Sequence, residues 1–345
     1  MSTSLPMIPT QEPQPTLSPQ QVAAMQQEIR ALAAEREAVI LAHNYQVAEI
    51  QQVAAYVGDS LGLSRQAAQA EGETIVFCGV HFMAETASIL CPEKTVLIPD
   101  LDAGCSLAAS IDAEQLREWK ERYPDGVVVM YVNTTAEVKA LTDYCCTSAN
   151  AVQVVRHIYE THGPDTEILF GPDMWLGAYV EKELGRRMHV WDGECHVHAS
   201  IRPSDIEATR AAHPGADFLI HPECGCTTSV MEYVASGDVD SEGVHMLSTG
   251  GMLRYAEAAE RQAAAHPDHR EAIVATEVGM LYPLHMAAPD VDFIPANPDA
   301  SCVFMKMITL EKLRDSLREM RFEVKVAPAI AERARVPIDR MVAIG

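Results

Sequence analysis

Three of the nine cysteines share one local context: an aspartate stands three residues before the thiol in DAGC (102–105), DGEC (192–195) and DASC (299–302). The steps between Cys105, Cys195 and Cys302 are about 90 and about 107 residues, so these thiols can meet only through tertiary folding. Three thiolates in one place suit a metal. A structural zinc takes four protein ligands, often as local C-x-x-C pairs, and the chain has no C-x-x-C. A [4Fe–4S] cluster ordinarily takes four cysteines; with three, one iron keeps an open position and acts as a Lewis acid toward a substrate oxygen. Cys78 lies inside an apolar run and Cys91 after a helical stretch, and both read as packing residues. The pairs Cys145/Cys146 and Cys224/Cys226 adjoin polar motifs and read as residues lining a site.

Other polar residues recur in the same rhythm. GDSLG puts Ser60 at the start of a helix running to about Ala70, CTSAN puts Ser148 before a helix from Asn150 to about Tyr159, and STGGM puts Thr249 before a helix from about Met252. Any one of them is an ordinary N-cap, but together they offer three helix N-termini, whose free N–H groups and dipole bind anions. Apolar runs end in HNY (His43, Tyr45), YVN (Tyr131, Asn133) and HPE (His221, Glu223), and His198 follows in CHVH just after the second of the three cysteines. Histidine and carboxylate can pass protons, while tyrosine and asparagine can polarise carbonyls or orient carboxylates. A solitary histidine at a strand end is as a rule structural; recurrence at equivalent places is what points to a site.

These residues need a scaffold that repeats. Strand-like runs AVILAHNY (38–45), GVVVMYVNT (126–134) and ADFLIHPE (216–223) come about 90 residues apart. Second runs, TIVFCG, TEILFG and GVHMLSTGG, each lead into glycine and a helical pattern; the third repeat carries extra length, EAIVATEVGM, that blurs its alignment. Continuous apolar strands alternating with helices mark parallel sheets covered on both faces, and in such units ligands bind at the carboxyl ends of the strands. The expectation is an α/β protein of three similar α/β/α modules, with short parallel sheets arranged around a pseudo-threefold axis and the active site at their common interface. The modules read as 19–110, 111–200 and 201–310, with 311–345 packing on the first. An amphipathic helix from Pro19 to about Glu37 opens the first module, and residues 1–18, MSTSLPMIPTQEPQPTLS, read as a disordered tail.

At 345 residues the chain is long enough for two or three domains of about 100–150 residues. Hydrophobic residues make up 48%, yet no apolar run approaches the roughly 18 residues that span a bilayer, and the N-terminus lacks the basic-then-apolar order of a signal peptide. A cytoplasmic address and no membrane partner follow as expectations. In a reducing compartment thiols serve metals, catalysis or packing more than disulfides. A net charge of −23 argues against a nucleic-acid partner, which needs a basic surface. If the ligands are anions, helix N-termini must supply the positive potential.

Taken together, LAHNYQ, GDSLGLS, YVNTTAEVKA, CCTSAN, PDMWLGAYV, WDGECHVH, HPEC and CVFMKMITLEKL resemble the quinolinate synthase family, the A protein of bacterial NAD biosynthesis, from about residue 36 to 315. The resemblance implies a [4Fe–4S] cluster with three cysteine ligands and one open iron. It also implies condensation of iminoaspartate with dihydroxyacetone phosphate to quinolinate, with loss of phosphate and water. The implied ligands are Cys105, Cys195 and Cys302. His43, Ser60, Tyr131, Asn133, Ser148, His221, Glu223 and Thr249 would bind the substrates. Tyr45 and Glu223 would lead the acid–base chemistry, with His198 and His43 in the catalytic set. Functional coupling to an aspartate-oxidising enzyme, which would supply the unstable imine, is a further family expectation.

Two features depart from the family pattern. Where some members carry C-x-x-C-x-x-C at the last ligand, this chain has Ala296 and Asp299, so thiol–disulfide regulation through that motif does not transfer. HPECGC adds two thiols beside Glu223. Two other classes compete with a cluster-dependent synthase. An iron–sulfur sensor would need an output surface or a basic DNA-binding element, and the sequence shows neither. A zinc-dependent aldolase or hydrolase would use His and carboxylate ligands, and metal stoichiometry separates it.

Overall fold

The computed structural model describes residues 17–227, 230–231, 243–263 and 270–344; all but the last two residues of the expected tail lie outside them. The first helix, Pro19–Glu35, starts on a reciprocal cap: Ser18 Oγ accepts from the Gln21 amide, and the Gln21 side chain accepts from the Ser18 N–H at 2.8 Å.

The strands of the described residues form three parallel sheets of four strands each. The first holds β1 (Ala38–His43), β2 (Tyr56–Gly58), β3 (Thr74–Cys78) and β4 (Thr95–Leu97). The second holds β5 (Val127–Tyr131), β6 (Tyr144–Cys146), β7 (Ile168–Gly171) and β8 (His189–Val190). The third holds β9 (Asp217–Ile220), β10 (Val244–Met246), β11 (Arg270–Ala275) and β12 (Val291–Pro295). Their orders are β2-β1-β3-β4, β6-β5-β7-β8 and β10-β9-β11-β12, one topology three times. In each sheet the two central strands carry the longest apolar runs; every residue of β3 is buried, as a strand covered on both faces must be.

The structure corrects the repeat alignment. TIVFCG and TEILFG are third strands, β3 and β7, whereas GVHMLSTGG contains β10, a second strand. The true third strand, β11, lies in the stretch read as extra length. β10 is a short, half-buried edge strand and β11 a central one. An apolar run alone does not tell an edge strand from a central one.

The C-terminal helices close over the N-terminal half. Leu310–Glu319 packs on Pro19–Glu35, and Pro328–Ala343 packs on the His81–Leu90 helix of the first repeat and on Ala136–Lys139 and β6 of the second. Asn150 Nδ2 donates to the carbonyls of Met341 (3.0 Å) and Ile344 (2.6 Å), and Arg65 Nη2 to that of Val342 (2.9 Å).

Candidate active site

The carboxyl ends of all three sheets open on one cavity, and every site residue named from the sequence lines it. His43 and Tyr45 come from the end of β1, Tyr131 and Asn133 from β5, His221 and Glu223 from β9. Ser60, Ser148 and Thr249 stand at or just before helices that follow β2, β6 and β10. Cys105, Cys195 and Cys302 follow the fourth strands, and His198 sits in the short helix after Cys195. The empty volume is about 680 Å3, mouth included, which is ordinary for a small-molecule site.

The helix starts are capped by neighbours of the predicted residues. Asp59 accepts from the Gly62 amide at 2.8 Å, and Ser248 Oγ from the Gly251 amide at 3.2 Å. Ser60 and Thr249 are therefore first helical residues, and their hydroxyls are not the caps. Ser148 Oγ instead lies 3.1 Å from His221 Nε2, and Thr249 Oγ1 accepts from Asn44 Nδ2 at 3.0 Å.

Two strand ends repeat a local device. The Tyr45 amide donates to His43 Nδ1 (3.2 Å) and the Glu223 amide to His221 Nδ1 (3.4 Å). Each bond leaves the ring proton on Nε2, aimed away from its own backbone. Burial pushes both imidazoles down to about 3, so at neutral pH they are uncharged donors.

Glu223 is the anionic centre. Tyr131 Oη donates to its Oε1, and His198 Nδ1 stands 3.2 Å from its Oε2, close but off the line of a hydrogen bond. Burial by itself would push the carboxyl up; the imidazoles of His221 and His198 and the Tyr131 bond outweigh it and hold it at about 2. Because His221 is neutral above about 3, the Tyr131 hydrogen bond is the anchor that lasts at neutral pH. On the other side of His198, Nε2 lies 3.1 Å from Thr276 Oγ1 and 3.3 Å from Tyr45 Oη, which are themselves 2.6 Å apart. Burial raises both phenols, Tyr45 and Tyr131, well above the usual range, so both are protonated. With His198 Nδ1–H toward Glu223, the order that uses the two shorter contacts is Tyr45 O–H to Thr276 and Thr276 O–H to His198 Nε2.

Thr276 escaped the sequence reading because it directly follows β11, the strand placed in the wrong register of the repeat; aligning EAIVAT with TIVFC and EILFG finds it. Glu277 beside it was missed for the same reason. Fully buried, it pairs with Lys306 at 2.8 Å and accepts from the Cys302 amide at 2.9 Å. Lys306 also donates to the Tyr45 carbonyl, so one ion pair joins a thiol segment to the Tyr45 backbone. Gly279 permits the approach: a Cβ there would come within 2.7 Å of the Tyr45 carbonyl oxygen. Gly193 of DGEC is likewise obligatory, since a Cβ would sit 2.5 Å from the Pro172 oxygen.

The thiols have the chemistry of a metal donor set. Burial pushes Cys105 up to about 12, Cys302 up to about 11 and Cys195 well above the thiol range; Cys302 adds to the rise at Cys105, Glu223 and the other two thiols at Cys195, and Glu277 at Cys302. Such thiols become thiolates only beside a compensating cation, which a bound metal supplies. Cys195, His198 and Glu223 also bring donor atoms within 4.8 Å of one another, although His198 and Glu223 belong to the polar chain above. The other cysteine pairs do not line the cavity. Cys145 and Cys146 are buried in β6, and Cys224 and Cys226 are buried and joined as a disulfide. Strand and tight-turn backbone turns these side chains into the core, so adjacency to a polar motif was no guide.

Buried acid–base groups at the carboxyl ends of repeated parallel sheets, with three cysteines in the same cavity, define the site of an α/β enzyme. The sequence profile of the quinolinate synthetase A protein family matches residues 27–343, and the chain belongs to that family. It is 55% identical to the quinolinate synthase of Thermus thermophilus over 322 residues, 93% of this chain and 98% of that protein. It is 56% identical to the quinolinate synthase of Mycobacterium tuberculosis over 320 residues, 92% of this chain and 88% of that protein. A similar match, 56% over 319 residues, is to the quinolinate synthase of Mycolicibacterium paratuberculosis, covering 92% and 88% of the two chains.

Proposed function

We propose that this enzyme forms quinolinate for NAD biosynthesis by condensing iminoaspartate with dihydroxyacetone phosphate, with loss of phosphate and water. Family membership supports quinolinate formation; the carrying observation for the chemistry is the buried Tyr45–Thr276–His198–Glu223 chain in the cavity that holds the three cysteines. Cys105, Cys195 and Cys302 would hold a [4Fe–4S] cluster. Its open iron would supply Lewis acidity toward a carboxylate or hydroxyl oxygen.

The remaining work falls to side chains. Helix starts at Ser60, Ser148 and Thr249 offer N–H groups and hydroxyls to carboxylate and phosphate in a protein with few cations. His43, His221 and Asn133 orient the dicarboxylate by neutral hydrogen bonds, and Tyr131, whose proton goes to Glu223, holds that carboxylate beside it. Tyr45 gives its proton through Thr276 to His198 Nε2, and Glu223 stabilises the imidazolium that results. Tyr45 takes a substrate proton as it releases its own, so no free phenolate forms, and the reverse relay protonates the departing hydroxyl as water. The imperfect angle at His198 Nδ1 is common before substrate is bound.

The same reading places the three sheets around a pseudo-threefold axis, with modules 19–110, 111–200 and 201–310 and a C-terminal segment 311–345. Cytoplasmic residence and supply of the imine by an aspartate-oxidising enzyme belong to it as well. No helix among the described residues is long and apolar enough to cross a membrane. A mononuclear metal on Cys195, His198 and Glu223 is the second reading; it would withdraw His198 and Glu223 from proton transfer.

The deciding assay is anaerobic turnover of iron- and sulfide-reconstituted protein with dihydroxyacetone phosphate and freshly generated iminoaspartate. Quinolinate that appears with about four irons per chain and disappears after air or chelator supports the cluster synthase. Full activity with one metal per chain favours the second reading, and no quinolinate from cluster-loaded protein rejects the proposed reaction.

A further inference from the structure

The residues that follow the three cysteines touch one another. Ser106, next to Cys105, places Oγ 2.6 Å from Nδ1 of His196, next to Cys195. The His196 ring stands edge-on to Phe304, two residues past Cys302, with centroids 5.9 Å apart and planes at 82°. All three side chains line the cavity. His196 therefore joins the three thiol-bearing segments, yet it takes no part in the Tyr45 chain. Its other nitrogen, Nε2, is buried and has no hydrogen-bond partner among the described residues. Leaving such a group unsatisfied is unfavourable, so an acceptor belongs there.

We infer that His196 donates a hydrogen bond from Nε2 to the sulfur shell of the group held by Cys105, Cys195 and Cys302, with Ser106 setting its tautomer. The inference rests on the cluster reading above. When the Ser106 hydroxyl donates to Nδ1, the ring proton resides on Nε2. Thiolate and sulfide sulfurs accept but cannot donate, so this tautomer alone satisfies both nitrogens. Hydrogen bonds to cluster sulfur stabilise the more electron-rich state and raise the reduction potential. They also orient the ligands and slow metal loss. His196 is thus a positioning residue for the cluster.

Full-length protein reconstituted anaerobically with iron and sulfide tests this in wild-type, His196→Phe, His196→Gln and Ser106→Ala forms. The readouts are iron content, the midpoint potential of the cluster and the rate of iron loss to a chelator. His196→Phe keeps the ring against Phe304 and removes both nitrogens. It should take up iron, show a more negative potential and lose iron about 10-fold faster. His196→Gln returns an N–H near Nε2 and should recover most of both properties. Ser106→Ala should shift both in the direction of the Phe variant by a smaller amount. A loaded His196→Phe protein with wild-type potential and wild-type iron loss overturns the inference while leaving the cluster reading intact. Equal behaviour of the Phe and Gln variants also overturns it, since packing would then explain the effect. If circular dichroism shows His196→Phe unfolded, the Gln and Ser106→Ala proteins decide: wild-type values in Ser106→Ala count against, and the partial shift counts for. Wild-type protein that takes up no iron rejects the cluster reading and this inference together.

Discussion

Tyr45 Oη and His198 Nε2 face each other at 3.3 Å, and Thr276 Oγ1 completes the triangle at 2.6 and 3.1 Å. Each corner comes from a different repeat, so the triangle forms only where the three meet. Thr276→Val should break it while leaving the volume nearly unchanged. Turnover should fall roughly 100-fold or more, the usual share of a positioned proton transfer. Thr276→Ser should keep most of the rate, and iron content should match wild type in both. A Val variant with wild-type turnover would remove Thr276 from the chemistry.

Cys302 is the most exacting test of the donor set. Cys302→Ser should lower iron content and abolish quinolinate formation while the far-ultraviolet circular dichroism stays wild-type, since the thiol sits on a cavity wall rather than in a strand. An active, iron-free Cys302→Ser protein would disprove the ligand assignment.

The neutral histidines set an acid limit on stability. His43 and His221 are held at about 3, against 6.5 when exposed. Between those values the unfolded chain binds protons that the folded one refuses, so stability rises with pH across the window and is lost as pH falls. Each group accounts for roughly 1.4 kcal/mol per pH unit there. Glu223, depressed to about 2, acts in a lower window: its contribution is complete above the ordinary carboxylate value of 4.5 and lost as pH falls toward 2. Urea midpoints should therefore drop from about pH 7 to about pH 5, and His221→Gln should flatten the drop. A pH-independent midpoint over that range would mean that these rings protonate in place.

Asn150 anchors the chain end to the second repeat through the Met341 and Ile344 carbonyls. Asn150→Ala should cost about 1–3 kcal/mol in urea unfolding, and amide exchange should quicken along Pro328–Ala343 ahead of the sheets. Uniform exchange throughout would show that the terminal helix is held by its apolar face alone.

The sequence by itself determined the strand-forming runs, the thiol positions, the polar residues at strand ends and the helix starts. These depend on residue type and short-range spacing: an apolar run becomes a covered parallel strand, and the residues just past it fall at the ligand-facing end. That was enough to place His43, Tyr45, Tyr131, Asn133, His221, Glu223 and the three cysteines in one cavity. Tertiary structure alone decided the partners. Thr276 lies 231 residues from Tyr45, in a stretch that resembled an insertion. Asp59 and Ser248 took the caps and freed Ser60 and Thr249. Ser106, His196 and Phe304 met only because the segments carrying them converge beside the three cysteines. No local pattern encodes a 3 Å hydrogen bond between residues so far apart; the packing of three sheets does.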